Sequence, residues 1–218
     1  MTSEVEIANL ALSNIRAGSI NSFDESNIQA QICKLKYPLI RDMMLADNVW
    51  GFARKIKGLP LLTVEIFNWG YAYQYPLDCL KINRLIPEHE QLLNADADIV
   101  SRMMDNNLLP LKDLRQQVPY EVFNFSENKI IAANESDLRI EYVAKITDPN
   151  LFTPSFILAI SHLLAAEIAI PIVGKETGRD LRSDSMSMYS EYYASATSDD
   201  LNETYYAPGL SEFETIRR

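Results

Sequence analysis

Histidine and cysteine are nearly absent from this 218-residue chain, with two of each, and the shortage removes most familiar chemistry. Cys33 and Cys79 stand far apart and match no CxxC or Cys/His ligand spacing, so neither a disulfide framework nor a zinc site is expected. A reducing cytoplasm suits such a chain. Nucleophilic triads and acid–base pairs mostly draw on histidine. His89 lies between Glu88 and Glu90 in a solvated triplet, and His162 falls in an apolar run where an imidazole packs or hydrogen-bonds. Seven glycines never form GxGxxG or GxxxxGK, so no nucleotide loop is expected. Basic charge is also short: 20 Lys and Arg against 30 Asp and Glu leave a net charge of -10, which repels phosphate and disfavours a nucleic-acid reader. The acidic start, Thr2-Ser3-Glu4, has neither the basic region nor the apolar run of an export signal, and none is expected. The longest apolar run, Phe156 to Ile170, is short of the ~20 residues of a bilayer span, contains His162 and Glu167, and lies between Pro154 and Pro171. It reads as a central core helix, and no membrane partner is expected.

What is present is ordinary globular composition, 47% hydrophobic and 23% charged, enough for a sizeable core. Ser3-Glu4-Val5-Glu6 is a capping box, followed by Ile7, Ala8, Ala11, Leu12 and Ile15 at helical spacing and by Gly18 as a left-handed cap. Ser22-Phe23-Asp24-Glu25 repeats the signature and predicts a second helix to about Ala46, striped by Ile28, Ile32, Leu35 and Leu39 and kinked or restarted at Pro38. From about Leu61 the period becomes two. Tyr71, Tyr73 and Tyr75, then Leu80 and Ile82, then Leu138, Ile140 and Tyr142 alternate with polar neighbours as half-buried strands do. Ser126-Glu127-Asn128 predicts a hairpin turn between Tyr120–Phe125 and Lys129–Ala133. Residues 88–118 read as a long excursion with one helix near Ile99–Met104. Thr153-Pro154 opens the core helix, and after Gly174 a polar helix runs to about Ser198 with Leu181, Met188 and Tyr192 inside.

The fold class is therefore α+β. Residues 1–58 and 148–198 are expected to form a helical bundle, residues 59–147 an inserted β-rich part, and residues 199–218 an extended C-terminal arm that can be removed without unfolding the rest. No catalytic, cofactor-binding or metal residue emerges. Asp96 and Asp98 could serve as the two acids of a carbohydrate hydrolase, but a solvated turn is the commoner role of such a pair. Aromatic and apolar side chains at element ends or beyond them are the candidate interface: Trp50, Phe52, Tyr205, Tyr206, Leu210, Phe213 and Ile216.

Four blocks of residues point further. Ala8-Asn9-Leu10-Ala11-Leu12 through Ile20-Asn21-Ser22-Phe23-Asp24-Glu25, Tyr37-Pro38-Leu39-Ile40-Arg41-Asp42 with Asn48-Val49-Trp50-Gly51-Phe52-Ala53, Tyr71-Ala72-Tyr73-Gln74-Tyr75-Pro76-Leu77-Asp78-Cys79-Leu80, and Leu138-Arg139-Ile140-Glu141-Tyr142 continuing through Thr147-Asp148-Pro149 to Leu163-Leu164-Ala165-Ala166-Glu167 appear in one order and spacing. Together they resemble the tail tubular protein A family, the head-to-tail adaptors of short-tailed bacteriophages. The resemblance covers most of residues 5–86 and 120–195. It implies a non-enzymatic virion protein that forms a homo-oligomeric ring of twelve copies between the portal protein and the tail nozzle protein, with DNA passing through the lumen without specific binding. A tail-associated carbohydrate hydrolase and a monomeric cytoplasmic interaction module remain the alternatives.

Overall fold

The computed structural model describes residues 2–87 and 118–203. The fold is α+β, and the chain divides into two compact units: Met1–Met44, Trp50–Phe52 and Ile146–Arg218 form the first, Leu45–Val49 and Ala53–Lys145 the second.

In the first unit, helix α1 (Glu4–Asn14) starts on the expected capping box. The Glu6 amide donates to Ser3 Oγ at 3.1 Å and the Ser3 amide donates to Glu6 Oε2 at 2.8 Å, so each satisfies a donor that a helix start leaves open. The helix ends earlier than Gly18. Arg16 takes the left-handed conformation at φ 58°, and the Ala17 amide donates back to the Leu12 carbonyl at 2.9 Å. Helix α2 (Ile28–Asp47) also starts later than its sequence signature. Glu25 Oε1 does accept from the amides of Asn21 and Ser22, at 2.6 and 3.1 Å, but these bonds close a turn. The helix begins instead where Asn27 Oδ1 accepts from the Ala30 amide at 2.8 Å. Pro38 lies within the continuous helix, on an exposed position, and causes no restart.

Helix α3 (Pro154–Val173) has Thr153 as its N-cap, with Oγ1 accepting from the Phe156 amide at 3.3 Å. At 20 residues it is long and apolar enough to cross a membrane. It is nevertheless a core element, with Phe156, Ile160, Leu164 and Ile168 among its buried residues. Gly174, at φ 96°, turns the chain directly into α4 (Lys175–Glu203). Helix α4 extends past Ser198, so residues 199–203 belong to it and not to an arm; the rest of the predicted arm lies outside the described residues. Small residues let α4 come close to α3: Gly178, Ser185 and Ala196 are all buried, and a methyl group at Gly178 would stand 2.8 Å from the Ile170 Cα. Two ion pairs tie α2 to its neighbours, Arg41 Nη1 to Glu4 Oε1 of α1 at 2.9 Å and Lys36 Nζ to Glu167 Oε2 of α3 at 3.3 Å.

The second unit holds two antiparallel sheets. One has the order β1-β7-β4, from β1 (Arg54–Gly58), β4 (Cys79–Pro87) and β7 (Leu138–Ala144). Residues 54–58 were expected in the bundle; they pair instead with Arg139–Val143, because the Lys/Arg-rich segment suits a sheet edge better than a helix core. Central β7 is buried on both faces, including Glu141, which is 6% exposed. Its carboxylate meets Arg54 Nε of β1 at 3.2 Å and Arg84 Nε of β4 at 2.7 Å, so all three strands share one charge ladder. The other sheet has the order β2-β3-β6-β5, from β2 (Leu61–Leu62), β3 (Tyr71–Gln74), β5 (Tyr120–Phe125) and β6 (Asn128–Ala133). Ser126 and Glu127 take φ 46° and 69°, the paired left-handed conformation that a two-residue hairpin turn requires. The predicted helix near Ile99–Met104, His89, Asp96 and Asp98 lie outside the described residues.

Candidate assembly surface

Trp50 is not at a surface. It is wholly buried, its Nε1 donating to the Met44 carbonyl at 2.9 Å, and its ring meets Phe52, Phe156 and Tyr193 at centroid separations of 6.0, 5.0 and 5.8 Å. Phe52 is half-buried in the same cluster, against Phe152 and Phe156. Of these two predicted interface residues Trp50 is core and Phe52 is half-buried beside it, because the short 3-10 turn Gly51–Ala53 folds their rings onto α3 and α4. Tyr205, Tyr206, Leu210, Phe213 and Ile216 lie outside the described residues. The helix that leads to them is tied down near its end: the Gly51 amide donates to Asp200 Oδ1 at 2.6 Å and Ser155 Oγ donates to Asp199 Oδ2 at 2.8 Å.

The surface that stands out is on α2, which carries two apolar stripes. Ala30, Cys33, Tyr37, Ile40 and Met44 are buried. Ile28, Leu35, Leu39 and Met43 are 52%, 67%, 65% and 56% exposed, with half-buried Ile32 among them. At ~100° per residue the second set lies within about 80° of arc, roughly 140° round the helix from the first. Spacings of four and three residues from Ile28 to Leu39 are those of a helix-pairing seam. The exposed side chains present on the order of 400–500 Å² of apolar surface, near the upper end of what a monomer leaves uncovered. This is the apolar stripe that the sequence shows along the second helix. The face that meets the core is the other stripe, on which Tyr37, Ile40 and Met44 are the large buried side chains.

No reactive constellation accompanies it. Among the described residues no group of three His, Cys, Asp or Glu side chains could hold a metal ion. Burial pushes the Cys33 thiol up to about 11, so it stays protonated at neutral pH. Cys79 is shifted in the same direction, chiefly by burial. Burial also lowers the His162 pKa; its ring stacks on Tyr192 at 5.3 Å and its Nδ1 lies 3.3 Å from Asn14 Nδ2, the contacts of a packed histidine. In the second unit, Asp78 accepts from Lys55 Nζ at 2.8 Å and from the Tyr142 hydroxyl at 3.0 Å. Burial alone would raise the Asp78 pKa, but these two donors outweigh it and hold the carboxyl below its usual range. No protein-family model matches the chain, and no curated protein matches it.

Proposed function

We propose that this chain is a structural head-to-tail adaptor of a short-tailed phage virion, in which copies form a ring between portal and tail nozzle and pair along the exposed stripe of α2. The observation that carries the reading is Ile28, Leu35, Leu39 and Met43, an apolar seam on a helix whose opposite face already fills the core. A soluble chain that leaves such a seam open does so at a cost unless another surface covers it. Closed rings of identical copies cover one such patch per interface with another part of the next copy. The net charge of -10 fits a channel that lets DNA pass without holding it. The family resemblance given by the sequence blocks supplies the particular ring.

Electron microscopy of the purified protein mixed with purified portal assemblies tests this. The expected result is a ring of added density beneath each portal, and free protein that is largely monomeric, since the ring forms on the portal template. In Leu35→Glu/Leu39→Glu both replaced side chains are about two-thirds exposed, so the melting temperature should stay within about 2 °C while ring formation is lost. Portals without added density, or a double variant that assembles normally, would refute the proposal.

A further inference from the structure

Loop residues 63–70 of the second unit fold over one face of the β2-β3-β6-β5 sheet. A bridge between Ile66 and Trp69 closes that loop, with Asn68 at φ 68° in the turn. Between the loop and β5 lies a cleft of about 380 Å³ lined by Glu65, Ile66, Phe67, Trp69, Glu121, Phe123 and Phe125. Glu121, Phe123 and Phe125 alternate along β5 and so face one side of the sheet. Among the described residues that strand is the sheet's edge.

Four aromatic rings and two carboxylates line this cleft, and no lining residue is basic. Phe67 is 88% exposed and Phe125 41%, so two of the rings offer their faces at the surface. Glu121 Oε2 accepts from Trp69 Nε1 at 3.0 Å, so the indole is oriented and one carboxylate is fixed at the wall. The other oxygen of Glu121, and both of Glu65, have no hydrogen bond or ion pair among the described residues. Aromatic faces attract a cation through their quadrupole, and a guanidinium can lie flat on a ring while its edge meets a carboxylate. A sugar would use the rings too, but it would leave both negative charges without compensation.

We propose that this cleft binds an arginine side chain presented by a partner protein, its guanidinium stacked among Phe67, Trp69, Phe123 and Phe125 and paired with Glu121 and Glu65. The site is independent of the α2 seam and of the adaptor reading. It provides recognition of a basic partner segment by a chain whose overall charge draws such segments in.

The two tryptophan indole N–H resonances of the ¹⁵N-labelled full chain are the readout, because wholly buried Trp50 serves as the internal control for Trp69. Titration with the tripeptide amide Gly-Arg-Gly should shift the Trp69 signal saturably, with half-saturation at millimolar peptide, and leave Trp50 in place. Gly-citrulline-Gly, which keeps the shape and loses the charge, should shift it at least about five-fold more weakly. Glu121→Gln, which can still accept from the indole, and Phe67→Ala, at a nearly fully exposed position, should each weaken binding about five-fold or more without unfolding the unit. An equal response to the citrulline peptide, no response to the arginine peptide, or a response to maltose that exceeds it would overturn the proposal.

Discussion

Replacing Gly178 with alanine tests how closely α3 and α4 are packed. Inside a helix, alanine is favoured over glycine by about 1 kcal/mol, so at an open position the change would stabilise. Here the new methyl would lie 2.8 Å from Ile170 Cα, 3.0 Å from the Ala169 carbonyl oxygen and 3.1 Å from the Ile170 nitrogen. All three are backbone atoms, and no rotamer change can move them. Relief requires the two helices to separate, and they are joined directly at Gly174, so the strain cannot be dispersed over a long connection. Overpacking of this kind costs about 1–3 kcal/mol and more where backbone must shift, which outweighs the propensity gain and leaves a net loss of about 1–2 kcal/mol. Gly18 supplies the control, because a methyl there meets nothing within 4 Å and its φ is not in the left-handed region. Gly18→Ala should be neutral or stabilising by up to about 1 kcal/mol through the unfolded chain. The assay is urea unfolding followed by Trp50 fluorescence in a Trp69→Phe background, so that only the helical unit reports. A Gly178→Ala protein as stable as its parent would refute the close approach.

Two further outcomes follow from contacts of the same unit. Asp200 is 7% exposed and its Oδ1 holds the Gly51 amide, so Asp200→Ala should cost about 1.5–3 kcal/mol in the same unfolding assay, and truncation after Ser198 should destabilise the unit where truncation after Glu203 does not. Burial holds His162 below its ordinary pKa of 6.5, so the unfolded chain takes up a proton before the folded one does; stability should be full above that value, fall as pH drops through 6.5 toward the folded pKa, and fall less in His162→Gln, as read by thermal unfolding between pH 8 and 5.5.

Local signals that act over a few residues were legible without the fold. The Ser3/Glu6 capping box, the Thr153-Pro154 helix start and the Ser126-Glu127 hairpin turn each depend on bonds or torsions spanning no more than four positions, and the α+β class follows from where the hydrophobic period changes. Boundaries decided by competition between neighbours were not. Glu25 accepts from the Ser22 amide, but Ser22 Oγ accepts from Asp24 and not from Glu25, so the segment closes a turn and Asn27 caps the helix farther on. Residues 54–58 became a strand through pairing with Arg139–Val143, a partner some eighty residues away that no local pattern reveals.

The division of roles among apolar residues belonged to tertiary structure alone. Sequence spacing shows that α2 has an apolar stripe at Ile28, Ile32, Leu35 and Leu39, but periodicity carries no information about which side of a helix meets its own chain. The stripe of Ala30, Cys33, Tyr37 and Ile40 faces the core, and the Arg41–Glu4 and Lys36–Glu167 ion pairs join the helix to α1 and α3 on that side. Trp50 and Phe52 were drawn inward as well. Large rings at an element end remain at a surface only if no cavity is offered, and α3 and α4 together offer one that Phe156 and Tyr193 complete. Composition thus determined a sizeable core and a chain poor in histidine and cysteine, while burial, which depends on every other residue at once, decided which of its apolar faces were left open.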